Sequence, residues 1–524
     1  MAKTITMERV REPSADRRKW WVLVAMVFGL FMPMLDNLVV NVALPTIQRQ
    51  LGAGVSGLQW IIDAYTLTFA SFMLTGGALG DLYGRKRFFI GGLITFTLGS
   101  LLCALSQSIG QLIAFRAIQG LGAAMLLPGS LSIITATFSG RERGAAIGIW
   151  AAMSGLAIAI GPVIGGFLVE HVSWQSIFWV NVPIGVIGLT MTALVVRESR
   201  DPSRSRRLDP AGLVTGTAGL FFLVYALIEG NARGWTDGQI LGGFALSAVL
   251  LAVFFYVESH RESPMLPLSF FRIPTFAAAN VVAAAVFFAM FGTVFFLTLY
   301  LQNVEGYSPV AAGLRLFAFS VVILVVAPLA GRLSDRVGSR WFMTIGPLIA
   351  ATGMGLLLRT EVGSSYATVI LPSFLVLAAG MAMTMTPMTA AVMGSVETRH
   401  AGVASAATNT SREIGGVFGI ALLGAIVTSA FKRGFLARLT ESGLSNAQAT
   451  STVAKAGASA AAGNAQLGTD GASLTQAVQT SFVHAIHVGL LVAIGFLILA
   501  SVVSAVFVRS HVGNHDEEAA AYGH

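Results

Sequence analysis

Runs of about twenty apolar residues, parted by short polar breaks, recur along almost the whole of this chain. A bilayer core about 30 Å thick is crossed by roughly 20 helical residues at 1.5 Å each, so each run is long enough for one crossing. Glycine and proline occur inside the runs as well as between them, as is common in membrane helices. With 55% hydrophobic and 11% charged residues and a mean hydropathy of +0.75, the 524-residue chain is too apolar for an ordinary soluble domain. The expected class is an all-α polytopic membrane protein.

Fourteen spans are expected, at 20–44, 57–80, 88–108, 110–137, 144–169, 176–196, 211–230, 239–257, 276–302, 310–333, 341–358, 366–392, 401–431 and 482–508. Most of the 33 Lys and Arg then fall in breaks on one side, among them Arg17, Arg18, Lys19, Arg85, Lys86, Arg87 and Arg197. Cation-rich loops stay in the cytoplasm, so both termini are expected there. The same bias accounts for the net charge of +8 without a nucleic-acid partner. The charged start resembles that of a signal peptide, but the following run is too long and lacks a small-residue cleavage site, so it reads as a retained first span. Cys103 is the single cysteine, which rules out a disulfide framework or a cysteine metal site.

An internal repeat sets the expected organisation. GALGDLYGRK from Gly77 recurs as GRLSDRVGSR from Gly331, so that Gly77, Leu79, Asp81 and Gly84 match Gly331, Leu333, Asp335 and Gly338. The first copy follows span 2 and the second span 10. The expected domains are therefore a six-helix bundle at 20–196, an inserted pair at 211–257 and a second bundle at 276–508, joined by cytoplasmic linkers 197–210 and 258–275. The stretch 432–481 is expected to be an external loop, flexible or folded as a short helical hairpin, and 509–524 a disordered cytoplasmic tail.

Four stretches carry a family resemblance: LDNLVVNVALP from Leu35, GALGDLYGRKR from Gly77, RAIQGLGAAMLLP from Arg116 and GIWAAMSGLAIAIGPVIGG from Gly148. Together they resemble the fourteen-span drug:proton antiporters of the major facilitator superfamily, the EmrB/QacA type. The span-5 stretch departs from the family pattern by having Ala157 at the internal glycine. The resemblance implies a cytoplasmic latch built on Gly77, Asp81, Gly84, Arg85, Lys86 and Asp335, and an antiporter motif formed by Gly148, Gly161, Pro162, Gly165 and Gly166. Plain packing and topology anchoring explain the same residues without any further role.

An acid inside a span requires a partner or a cavity. Asp36 lies about 12 Å below the outer end of span 1, Asp63 about 9 Å below that of span 2, and Arg116 about 9 Å down span 4. Two acids facing one Arg leave a carboxylate over, which can serve as a proton carrier or as a counter-ion for a cationic substrate. A purely structural cluster is the alternative. Arg412 and Glu413, near the middle of span 13, either line the cavity or pair with a neighbouring helix; Glu229, at the outer end of span 7, is an interface acid or a further site. Aromatics and methionines in VFFAMFGTVFFLTLYLQ and GMAMTMTPM suit flat apolar ligands, or simply pack.

GLGAAM departs from the dinucleotide fingerprint and the chain has no P-loop, so ATP is not the expected energy source; the resemblance implies a proton gradient instead, with no cofactor and no metal. The expectation is a monomeric, non-enzymatic exporter of small amphiphilic, cationic drugs in the bacterial cytoplasmic membrane, with protons and the lipid bilayer as its other partners. An exporter of one endogenous metabolite, antibiotic or lipid, and an uptake symporter, remain as rivals.

Overall fold

The structure, a computed structural model, describes residues 13–138, 140–200, 209–261, 264, 268–396, 401–441, 445, 448–450, 453 and 471–509. The expected tail and most of the expected external loop lie outside these residues. The described chain is helical: α1 Pro13–Leu51, α2 Val55–Tyr83, α3 Arg85–Ala104, α4 Ile109–Thr137, α5 Gly140–His171, α6 Ser176–Trp179, α7 Asn181–Val195, α8 Pro210–Arg233, α9 Gly238–His260, α10 Pro274–Leu299, α11 Pro309–Val337, α12 Ser339–Leu357, α13 Leu371–Gly394, α14 Ala401–Glu441 and α15 Gly471–Phe507. Eleven of the described helices, α6 and α7 counting as one, are long and apolar enough to cross a membrane. Helices α2, α5 and α12, of 29, 32 and 19 residues, stand outside that set.

Helix ends follow local chemistry. Ser108, Asp209, Asp237 and Ser308 accept from backbone N–H groups in the first turns of α4, α8, α9 and α11. The two repeat copies also end their helices alike: Gly84 and Gly338 have φ of +120° and +94°, and their N–H groups bond to Gly80 and Ser334 carbonyls four residues back. Only glycine takes that backbone conformation without strain.

Helices α1 to α7 pack mainly on one another, and α10 to α15 do the same with matching neighbours. The pairings α1/α5, α2/α4, α3/α4 and α3/α7 have counterparts in α10/α14, α11/α13, α12/α13 and α12/α15. The repeat seen in ten residues thus extends to the packing of whole helices. Helix α8 packs on α9 and lies against both α2 and α14, where Val224 and Ile228 join Leu67, Val417 and Ala421 in one apolar cluster. Leu241, Leu246, Val249, Val253 and Phe255 of α9 are exposed, an apolar face that suits lipid.

The two groups meet at the end away from the basic Arg85–Arg87 loop. Gln59 donates to the Ile420 carbonyl (2.8 Å), Gln302 to the Val42 carbonyl (2.9 Å), and the Val310 N–H to Glu170 Oε2 (2.9 Å). Beside the last contact α5 and α11 touch through backbone. A Cβ on Gly166 would lie 2.5 Å from the Pro309 oxygen, and one on Gly313 would lie 2.1 Å from the Pro162 oxygen.

Two expected boundaries differ. Helix α14 continues ten residues beyond 431, and α15 starts at Gly471 rather than 482. Phe431, Phe435 and Leu439 recur at four-residue spacing and are buried, so the first ten residues of the expected external loop, 432–441, pack instead as an amphipathic extension of the helix.

Candidate functional site

Arg116 is fully buried on α4, with its guanidinium 4.0 Å from the centre of the Tyr65 ring. Its Nε donates to the Ile61 carbonyl (3.0 Å), and Nη1 to Asp36 Oδ2 and to Gln119 Oε1 (2.8 Å). The other Asp36 oxygen accepts from Gln119 Nε2 and Asn181 Nδ2, both at 2.9 Å. Ser100 Oγ receives bonds from the same two amides and donates to the Phe178 carbonyl. Asp36 therefore has one cation and two amides to carry its charge, which is what makes a buried ion pair tolerable.

Asp63 differs. It has 0% exposure, and neither carboxylate oxygen has a hydrogen-bond partner among the described residues. Arg116 Nη2 is likewise buried without a partner. The sequence placed these three charges at one depth; the structure joins Asp36 to Arg116 and leaves Asp63 over. An ionised carboxylate without a partner is far more costly to bury than a neutral acid.

In the second group, Arg412 donates from Nη2 to Thr389 Oγ1 (2.7 Å) and from Nη1 to Asn409 Oδ1 (3.2 Å), and sits 5.5 Å from the Phe287 ring. Glu413 is half-buried, with Oε2 unpartnered among the described residues. Helix α14 packs on α2 of the first group, and the Ile420 carbonyl, two turns after Glu413, accepts from Gln59, so this part of α14 faces the first group. Glu229 is elsewhere: it accepts from Trp60 Nε1 (3.2 Å) and lies 3.9 Å from Arg233, at the contact between α8 and α2.

Gly161 and Gly165 face α1, where a Cβ would lie 3.0 Å from Leu38 and 3.1 Å from the Val39 backbone; Gly166 and Pro162 face α11. At the basic loop, Lys86 Nζ donates to the Ala193 carbonyl (2.7 Å), while the Glu198 carboxylate accepts from the Lys86 and Arg87 N–H groups at the start of α3. The Arg85 N–H bonds to the Ser199 carbonyl. These contacts stay within the first group. The side chains of Asp81 and Asp335, and the surroundings of Gly77 and Gly148, lie outside what the structure describes. Of the aromatic and methionine stretches, Phe288, Met381 and Met388 are buried packing, whereas Phe287, Phe291, Met383 and Met385 are half-buried.

Sequence reasoning missed Gln119, Asn181 and Ser100 as partners of Asp36. Gln119 lies three residues after Arg116, on the same helix face, and that spacing is a usable signal. Glu170 and Glu198 were missed because each looks like an ordinary loop-end charge.

The Major Facilitator Superfamily profile matches residues 26–420. The chain belongs to the Major Facilitator Superfamily. This superfamily member is a multi-pass integral membrane transporter and not an enzyme. It is 39% identical over 415 residues to the multidrug resistance protein Stp of Mycobacterium tuberculosis, covering 79% of this chain and 77% of the relative. It is 32% identical over 497 residues to the tetracenomycin C resistance and export protein of Streptomyces glaucescens, covering 94% and 92%. Among solved structures, a bacterial homologue of the human lysosomal transporter Spinster, inward-facing and unoccupied, aligns with TM-score 0.63 at 21% identity, covering 95% of this chain and 99% of that one. A D-xylose–proton symporter aligns with TM-score 0.61 at 13% identity, covering 94% and 98%. These two show the fold alone.

Proposed function

We propose that the protein exports amphiphilic, cationic drugs and dyes across the bacterial cytoplasmic membrane in exchange for protons, by alternating access between two six-helix halves. In this reading α2, α5 and α12 also cross the bilayer, giving fourteen spans. The basic loops and both termini are cytoplasmic, α8 and α9 are the inserted pair, and one chain is the working unit without a cofactor. Resistance proteins among the relatives support drug export.

The observation that carries the proton coupling is Asp63, fully buried and without a partner among the described residues, while Asp36 is already committed to Arg116. Because Asp63 is sealed, it suits a proton better than a bulky drug. The half-buried Glu413 is the better counter-ion for the drug's cation. Each pH unit supplies about 1.4 kcal/mol per proton, and each net charge crossing 100 mV about 2.3 kcal/mol, so export against a hundredfold gradient needs only one or two protons.

The test uses purified protein in liposomes with an imposed pH gradient, following ethidium with wild type and Asp63→Asn side by side. Gradient-driven movement that vanishes in the mutant supports the reading. If Asp63→Asn keeps transport and its pH dependence, Asp63 is not the coupling site. A second reading, export of one antibiotic, is favoured by the full-length match to the tetracenomycin C export protein; wild type that moves no dye would select it.

A further inference from the structure

Arg412 is the one cation on α14 within the part that faces the first group, and its bonding is unlike that of Arg116. Arg116 is matched by a carboxylate and by a backbone carbonyl. Arg412 has only two neutral acceptors, Asn409 Oδ1 and Thr389 Oγ1, while its Nε is buried without a partner and no carboxylate lies within 4.0 Å among the described residues. A guanidinium carries five N–H donors, so most of its capacity is unused. In a membrane span such a group requires an acceptor or a wet cavity.

Its surroundings indicate what the acceptor is. Thr389 is exposed, so the guanidinium's Nη2 edge lies next to open space. Phe287, under the guanidinium, is stacked with Phe291 at 6.0 Å and 28°, which extends a flat aromatic surface away from the charge. A planar fork of N–H groups matches a carboxylate or phenolate, and an aromatic plane beside it matches the ring carrying that group. Glu413, the next residue along the helix, makes no ion pair with Arg412 within 4.0 Å, and its Oε2 is unpartnered among the described residues.

We propose that Arg412, with Phe287 and Thr389, binds an anionic oxygen group on an aromatic substrate, so that the transporter takes acidic and zwitterionic aromatic compounds as well as simple cations. This rests on the drug-export reading and deepens it: the cavity has a cationic pole on α14 in addition to its acids.

The experiment compares two aromatic dyes of opposite charge, ethidium and fluorescein. Transport of each into the liposomes described above is measured with wild type, Arg412→Gln and Arg412→Lys, and the binding of each to the detergent-purified proteins is measured by anisotropy. Wild type is expected to bind and move both. Arg412→Gln is expected to weaken fluorescein binding about tenfold or more, as suits loss of a charge-assisted pair, and to lower the fluorescein-to-ethidium affinity ratio by at least that factor, because losing a cation does not weaken the attraction of a cationic dye. Arg412→Lys keeps the charge but not the fork and should fall between. If Arg412→Gln does not reach the membrane, the fluorescein-to-ethidium affinity ratio of Arg412→Lys decides. The proposal is overturned if wild type moves ethidium but neither binds nor moves fluorescein, or if the variants weaken both dyes equally or neither. Wild type that moves neither dye removes the dye-export reading and selects export of one antibiotic; the proposal is then overturned if fluorescein does not bind, or if Arg412→Gln leaves its binding unchanged.

Discussion

Gly313 offers a direct way to perturb the closed end of the protein. A Cβ there would lie 2.1 Å from the Pro162 oxygen and 2.8 Å from its carbonyl carbon, both backbone atoms that cannot swing aside. Ordinary contact begins near 3.4 Å, so in Gly313→Ala helices α5 and α11 must separate by about 1.3 Å or rotate. Overpacking of this kind costs about 1–3 kcal/mol. The cost falls on the closed arrangement alone, because an opened seam has room for a methyl group. At about 1.4 kcal/mol per factor of ten, the closed-to-open ratio should drop by roughly 5- to 150-fold. Alanine's better helix propensity acts on both states and cancels in that ratio. The assay is thiol labelling at Val163→Cys, a half-buried α5 position whose backbone nitrogen lies 3.4 Å from the same Cβ position. Cys103, the only native cysteine, is buried and gives little background. A membrane-impermeant maleimide added to the outer face should label the Gly313→Ala protein faster by up to the factor above, and export should slow because closure is harder. The control is Gly355→Ala, where a Cβ would meet nothing within 4 Å and labelling should not change. Equal labelling of Gly313→Ala and wild type at equal protein amounts would refute the idea that the α5/α11 backbone contact closes the outer end.

Three further outcomes are expected. Glu170, at the end of α5 that meets the start of α11, is held below the usual carboxylate range by hydrogen bonds from Ser308 and from the Val310 N–H, so the contact is fully made above that range and lost as pH falls through the lowered value. Outer-face labelling at Val163→Cys should therefore rise as the external medium is acidified, and Glu170→Gln should flatten that dependence; an unchanged profile would remove Glu170 from the contact. Asn181→Ala takes one donor from Asp36 and one from Ser100, and should cost about 1–3 kcal/mol, read as a lower midpoint in a thermal unfolding scan of the purified protein. Glu198→Gln weakens the cap on α3, and should lower stability by about 0.5–2 kcal/mol while leaving ethidium affinity unchanged.

The placement of helices was legible because lipid removes alternatives: an apolar run of span length has few options besides a helix. Repeat order was legible too, since Gly84 and Gly338 punctuate matching helices with the same positive φ. What the sequence could not show was which surfaces face each other. Glu229 and Asp63 look alike as acids in apolar runs, yet Glu229 finds Trp60 and Arg233 while both Asp63 oxygens find no partner among the described residues. Only the three-dimensional neighbours separate a paired acid from an unpaired one.

The same limit explains why depth was a better guide than residue type. Counting 1.5 Å per residue put Asp36, Asp63 and Arg116 in one layer, and a layer is a short list of possible pairs. The pair that forms is the one with amides around it: Gln119 and Asn181 both donate to the Asp36 oxygen that Arg116 leaves free. Asp63 has no such donors among the described residues. Neutral residues, invisible to a search for charges, thus separate an acid fixed by its partners from one left without them among the described residues.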